Sequence, residues 1–228
     1  SLLSKQLILI NTMNWDQVDT VLLDMDGTLL DLHYDNTLWQ QLVPKRFSEK
    51  MGLSFEEAQS TLFRKMSELG GSLQFYCLDY WQEYTTLNII EIHQELAPLI
   101  RYLPNAKSFL SSLRENQKQV ILVTNAHRRS LYIKNRYSNI IGQCDSHISC
   151  HDYGIPKEKN EFWEVLQEKF KFDKARTFFI DDNTKVLKAA TAMGIKQIMT
   201  IKQPDSTKPD RQNLVYPALN DFSEIMPK

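Results

Sequence analysis

Residues 18–31 read "VDTVLLDMDGTLLD", and the reading of this stretch decides the fold. An apolar run, Val21-Leu22-Leu23, stops at Asp24, and Asp26 follows one residue later. Two carboxylates that close repel each other, so a buried strand that ends in them needs a compensating partner. Side chains two apart on a strand share a side. Asp24 and Asp26 can therefore both face a ligand while Met25 turns away. Gly27 permits a sharp turn after them, and its small size lets backbone N–H groups approach an anion.

Similar runs recur along the chain: "QVILVT" at 119–124, "HIS" at 147–149, "TFFI" at 177–180 and "QIMTI" at 197–201. Helical patterns lie between the later ones. Phe162, Val165, Leu166 and Phe170 keep helical spacing in 160–170. Val186, Leu187, Ala190 and Met193 do so in 184–193, with Gly194 as the stop. Strands alternating with helices predict an α/β fold, a doubly wound parallel sheet covered on both faces.

The first gap breaks the rhythm. A β-to-β crossover unit takes about 30 residues, yet the first run ends at Leu23 and the next begins at Gln119. The segment between is helical in pattern. Ser54 with Glu57 forms a capping box, Ala58, Leu62, Met66 and Leu69 share a face, and Gly70-Gly71 ends the run. Helical patterns also fit 36–50, 74–86 and 90–101, and Pro104 marks the return. The expected organisation is a core of residues 13–31 and 105–228, with residues 32–104 inserted as a helical cap. Residues 1–12 precede Met13 and are expected to be an extension outside the functional argument.

Open α/β sheets bind ligands beyond the carboxyl ends of their strands. The first strand delivers Asp24 and Asp26 there, and the second Thr124-Asn125. "YGIPKE" supplies Lys157, and "FFIDDN" ends in Asp181-Asp182. Four carboxylates in one crevice cannot all ionise without a compensating cation. Hard oxygen ligands with room for water and phosphate favour Mg²⁺.

In order and spacing, "DMDGT", "VTNA", the Lys157 of "GIPKE" and "FIDD" resemble the four motifs of the haloacid dehalogenase superfamily of phosphohydrolases. The resemblance runs from about Val18 to Ile201 and includes a helical cap after the first motif. More narrowly, "VDTVLLDMDGTLLDLHYDN" and "FYCLDYW" look like the GMP/IMP nucleotidases of that superfamily. The resemblance implies that Asp24 is a nucleophile that becomes an aspartyl phosphate. It implies that Asp26 protonates the leaving alkoxide and then deprotonates the attacking water. Thr124 would bond the phosphoryl oxygens, with Asn125 beside it, and Lys157 would neutralise charge between Asp24 and phosphate. Asp182 would bind Mg²⁺ directly, Asp181 directly or through water, and Asp26 through its backbone carbonyl. The implied substrate is a nucleoside 5′-monophosphate, hydrolysed to nucleoside and phosphate. Two other readings remain: a phosphatase or phosphomutase acting on small sugar phosphates, with Lys45, Arg46 and Arg64 available for a distal phosphate, and a phospho-acceptor signalling domain that does not turn over.

The rest of the sequence narrows the field. With 27 basic and 28 acidic residues, the chain offers no general electrostatic reason to bind nucleic acid or an anionic membrane. The early apolar cluster at 7–10 is too short to span a bilayer. Three scattered cysteines, Cys77, Cys144 and Cys150, make no disulfide framework and fit a cytoplasmic protein. "FYCLDYWQEY" at 75–84 puts Tyr76, Tyr80 and Tyr84 on one helical face, a pattern that usually packs a core. The alternative has Trp39, Tyr76 or Tyr80 stacking on a purine. Cys144, His147, Cys150 and His151 suggest zinc, but strand alternation sends successive ligands to opposite faces, and the spacing fits no standard zinc module. His127 reads as an exposed helix-start residue that could otherwise line the site. Arg128, Arg129 and Arg136 read as a solvated helix face. The tail after 201 reads as loop and short helix wrapping the core.

Overall fold

A computed structural model describes residues 13–227; the apolar cluster at 7–10 lies outside them. Six strands, β1 (Thr20–Leu23), β2 (Gln119–Thr124), β3 (Ser146–Ser149), β4 (Thr177–Ile180), β5 (Gln197–Ile201) and β6 (Ala218–Leu219), form one parallel sheet in the order β3-β2-β1-β4-β5-β6. Residue alternation explains why it is covered twice. Val21, Leu23, Val120, Leu122, Phe178 and Ile180 face one core, under α7 (Ala106–Glu115) and α8 (Arg128–Ser138). Leu22, Ile121, Val123 and Phe179 face the other, under α9 (Asn160–Phe170) and α10 (Thr184–Ala192). The expected α/β class and parallel sheet are what the chain forms. The tail adds β6, pairing beside Thr200 and Ile201, which a two-residue strand after Pro217 did not signal. Among the described residues, no helix is long and apolar enough to cross a membrane.

Between β1 and β2 the chain is helical: α1 (His33–Thr37), a π-helical turn (Leu38–Leu42), α2 (Val43–Met51), α3 (Phe55–Leu69), α4 (Leu73–Tyr76), α5 (Leu78–Thr85) and α6 (Ile89–Leu96). These helices bury a cluster of their own, including Leu38, Phe47, Leu62, Trp81 and Ile92. The capping box at Ser54 and Glu57 opens α3, and a 3₁₀ turn containing Pro98 ends the run after α6. The two connections to the sheet run side by side. Leu30 and Tyr102 form an antiparallel bridge, and Arg101 pairs with buried Asp31 at 3.0 Å.

One boundary differs in a way that matters for the site. The single helix expected over 74–86 is broken at Cys77, whose backbone is extended (φ −84°, ψ 113°). The break lets the Trp81 indole N–H donate to the Phe75 carbonyl at 2.8 Å. It also removes the common face expected for Tyr76 and Tyr80.

Trp163 connects packing to the strand ends. It is fully buried, its ring centroid lies 4.8 Å from that of Phe179, and its indole N–H donates to the Lys157 carbonyl at 2.8 Å. Trp163→Ala should lower stability by about 3–5 kcal/mol, as large-to-small changes in aromatic cores do. Urea unfolding measures this, and a change below about 1 kcal/mol would contradict the packing role.

Candidate functional site

The carboxyl ends of β1, β2 and β4, with the turn after β3, surround a cavity of about 280 Å³, near the lower limit of roughly 300 Å³ for small-molecule sites. Asp24, Asp26, Thr124, Asn125, Lys157, Asp181 and Asp182 all line it. β1 lies between β2 and β4, so the acids sit where the strand order reverses, the usual binding crevice of an open α/β sheet.

Lys157 organises this end of the sheet. Its backbone N–H donates to Asn125 Oδ1 at 2.9 Å. Its Nζ donates to Asp24 Oδ1 at 2.6 Å, Asp181 Oδ2 at 2.7 Å and the Val123 carbonyl at 3.0 Å. Burial opposes the ammonium, but the charges of Asp181 and Asp24 outweigh it and raise its pKa well above the ordinary value. Thr28 holds the other oxygen of Asp24, donating to Oδ2 at 3.0 Å. Burial first, then the charge of Asp181, pushes Asp24 up to about 7 against the pull of Lys157. Asp182 is raised well above the ordinary value by burial and by Asp24 and Asp181.

Asp24, Asp181 and Asp182 each offer an oxygen within 4.8 Å of the others. Three carboxylates against one ammonium leave an excess of two negative charges, which one divalent cation would balance. The donors are hard oxygens, so the set fits Mg²⁺. The Asp26 carboxylate stands apart from that cluster. Lys134, in α8, donates to Asp26 Oδ1 and to Asp35 Oδ1, both at 2.6 Å. The ammonium lies 5.2 Å from the centre of the Tyr34 ring, and the Tyr34 hydroxyl meets His93 Nδ1 at 2.8 Å. Burial, then Asp26, pushes Asp35 up to about 7.

Gly27 makes the sharp turn expected after the aspartates, but its own N–H is not turned to an anion. Its N–H donates to the Leu30 carbonyl at 2.8 Å and so is already engaged. The residue must be glycine because φ is +78° and a Cβ would lie 2.5 Å from Asp182 Oδ2. Thr124 accepts the Ala126 N–H at 3.0 Å.

Of the three aromatics considered for the base, Tyr76 alone lines the cavity; its hydroxyl donates to Glu158 Oε1 at 2.7 Å, and Asn125 donates to Glu158 Oε2 at 2.9 Å. Trp39 instead packs 5.5 Å from Trp81, and Tyr80 packs against Trp81 and Tyr84. The break at Cys77 separates Tyr80 from Tyr76. His127 is mostly buried, its side chain 12 % exposed, with Nε2 3.5 Å from Asp79. Sequence reading missed Thr28, Lys134 with Asp35, Glu158 and Arg211, whose Nη1 donates to the Asp182 carbonyl at 2.7 Å. Lys134 left a signal: buried Ser130, Leu131 and Ser138 share its helix face, though Arg128, Arg129 and Arg136 disguised it.

The raised aspartates have a consequence for stability. Asp24 and Asp35 move from an ordinary 3.8 to about 7, so between those values the folded chain holds protons that the unfolded chain releases. Their contribution is whole below about pH 4 and is lost as pH rises through about 7. His93 and His151, pushed down by burial to about 3 and about 4, contribute in the opposite sense, so the test is the difference between chains. Without divalent metal, Asp182→Asn should lose less of its thermal midpoint, or gain more, than the wild type between about pH 4 and 7. The same pH dependence of the midpoint in the wild type and Asp182→Asn would contradict the charge excess.

Comparison with known proteins agrees with this geometry. The model of the haloacid dehalogenase-like hydrolases matches residues 18–194. The chain is 38% identical over 213 residues to the GMP/IMP nucleotidase YrfG of Escherichia coli strain K12, covering 93% of this chain and 96% of that protein. Among solved structures, an HAD phosphatase from Thermococcus onnurineus matches with a TM-score of 0.76 at 17% identity, over 91% of this chain and 95% of its own. YfnB of Bacillus subtilis, named as an HAD-type hydrolase and bound to magnesium, matches with a TM-score of 0.62 at 18% identity, over 91% of this chain and 96% of its own. The chain belongs to the haloacid dehalogenase-like hydrolases.

Proposed function

We propose that the protein is a Mg²⁺-dependent phosphomonoester hydrolase that works through an aspartyl phosphate on Asp24, with the purine 5′-nucleotides GMP and IMP as substrates. The observation that carries the chemistry is the convergence of Asp24, Asp181, Asp182 and Lys157 on one cavity, with Asp26 at its edge. The similarity to a GMP/IMP nucleotidase over nearly the whole chain supports the substrate.

An Asp24 oxygen attacks phosphorus, the bond to the leaving oxygen breaks, and Asp26 protonates the departing alkoxide. Water then attacks the aspartyl phosphate while Asp26 takes its proton, which frees Asp24 and releases phosphate. Splitting the hydrolysis in this way replaces one difficult displacement by two easier ones. Lys157 neutralises charge on Asp24 and on the phosphoryl oxygens, and the Thr124 hydroxyl bonds those oxygens. Lys134 and Asp35 hold Asp26 in position. Asp24, Asp181, Asp182 and the Asp26 carbonyl would hold Mg²⁺, which when bound supplies further charge neutralisation.

Residues 32–104 act as a cap over a core of 13–31 and 105–228. Tyr76 brings the cap to the cavity, and its link through Glu158 to Asn125 couples base recognition to phosphate positioning. GMP and IMP share a 6-oxo group beside a protonated N1, and AMP presents the reverse pattern. A pocket that bonds the oxo edge would leave buried groups unpaired against AMP, which can cost about 10⁴-fold. The phosphomutase reading has less support: Lys157 is the cation among the described residues lining the cavity, and Arg46 is paired with Glu95. The partner is a small phosphorylated metabolite, in the cytoplasm, rather than nucleic acid or a membrane.

The test is kcat/KM for GMP, IMP, AMP, UMP and several sugar phosphates at one Mg²⁺ concentration. GMP and IMP should lead, and AMP hydrolysed as well as GMP, or a sugar phosphate preferred, would overturn the nucleotidase reading. Asp24→Asn should abolish turnover in a folded protein. Asp26→Asn should lose the roughly 10²–10⁴-fold that general acid–base catalysis supplies. Near-native turnover in Asp24→Asn would remove the nucleophile.

A further inference from the structure

A second group of metal-ligating side chains lies beside the cavity but does not line it. Cys77, His127 and His151 each present a ligand atom within 4.8 Å of the other two. They come from three elements: Cys77 from the break between α4 and α5, His127 from the N-cap of α8, and His151 from the 3₁₀ turn after β3. Cys77 is a free thiol. The two imidazole rings lie 5.0 Å apart, centre to centre, and the buried Nε2 of His151 has no hydrogen-bond partner. A buried polar nitrogen without a partner costs free energy, and a bound cation would remove that cost.

We propose that Cys77, His127 and His151 form a Zn²⁺ site that ties the helical segment to the strand-end loops, with the Asp79 carboxylate or water as the fourth ligand. One thiolate and two imidazoles are a borderline-soft set, suited to Zn²⁺ and unsuited to Mg²⁺. The hard carboxylates of Asp24, Asp181 and Asp182 have the opposite preference, so the two sites discriminate between metals. His127 Nδ1 accepts the Arg129 N–H at 3.3 Å as the cap of α8, which orients the ring and leaves Nε2 to ligate. Asp79 Oδ2 stands 3.5 Å from that nitrogen, within reach of the fourth position.

The position gives the site its consequence. Tyr76 precedes Cys77, and Ala126 precedes His127; both line the cavity. A metal held across them would fix the spacing between the helical segment and the Thr124–Ala126 loop.

The ligands are far apart in sequence, so no local spacing announces them. Sequence proximity instead suggests Cys144, His147, Cys150 and His151. The structure separates that set, with Cys144 packed against one core, Cys150 buried in the other and His147 exposed.

Zn²⁺ titration of the full chain in excess Mg²⁺, with Co²⁺ as spectroscopic probe, tests the site. One Zn²⁺ should bind per chain, and Co²⁺ should show a thiolate charge-transfer band. Cys77→Ala should abolish the band. Cys77→Ala and His151→Gln should each weaken Zn²⁺ binding by more than the roughly 10–100-fold lost when a ligand's hydrogen-bond partner is removed. Asp24→Asn should leave Zn²⁺ affinity unchanged. No binding in excess Mg²⁺, binding lost in Asp24→Asn, or binding unaffected by Cys77→Ala would each overturn the proposal.

Discussion

A single buried ammonium, Lys157 Nζ, holds Asp24 and Asp181 together at 2.6 and 2.7 Å, and the strand-end architecture depends on it. Removing one partner of a buried ion pair costs about 3–5 kcal/mol because the other is left uncompensated. Here one lysine serves two carboxylates, with Asp182 as a third close by, so the site is still undercompensated. Burial first, and then this imbalance, pushes Asp24 and Asp182 upward, and a divalent cation would relieve it.

The scaffold can hold this arrangement because each charged group rests on something rigid. β1 and β4 are neighbours in register, Leu23 opposite Ile180, so Asp24 and Asp181 leave the sheet side by side. Gly27 makes room for Asp182, Thr28 fixes one oxygen of Asp24, and Trp163 anchors the Lys157 carbonyl from the core below. A second buried lysine, Lys134, does for Asp26 and Asp35 what Lys157 does for Asp24 and Asp181. The two aspartates of "DMD" thus sit in separate electrostatic environments despite being two residues apart.

How much of this was legible follows from how local each signal is. The strands β1 to β5, α9 and the capping box of α3 are written in short periodic patterns and a four-residue cap, and they lie where those patterns put them. The carboxylates at the strand ends were readable because apolar runs stopping at acids are a local anomaly. Lys134 was hidden because its partners, Asp26 and Asp35, are about a hundred positions away, and its helix neighbours are exposed arginines. At Cys77 the chain leaves the helical pattern and the Trp81 indole bonds the Phe75 carbonyl, a side-chain-to-backbone bond that periodicity does not announce. With the break went the expectation that Tyr80 would accompany Tyr76, and Trp39 proved to belong to the core of the helical segment.

The central claim is that the excess charge left over by Lys157 makes a hard divalent site from Asp24, Asp181 and Asp182. Calorimetric titration of Mg²⁺ into the metal-free protein tests it most directly. The account predicts one ion per chain in the wild type, with affinity lowered at least about tenfold, a change of about 1.4 kcal/mol, in both Asp181→Asn and Asp182→Asn. Undetectable Mg²⁺ binding, or equal affinity in the wild type and both variants, would contradict it.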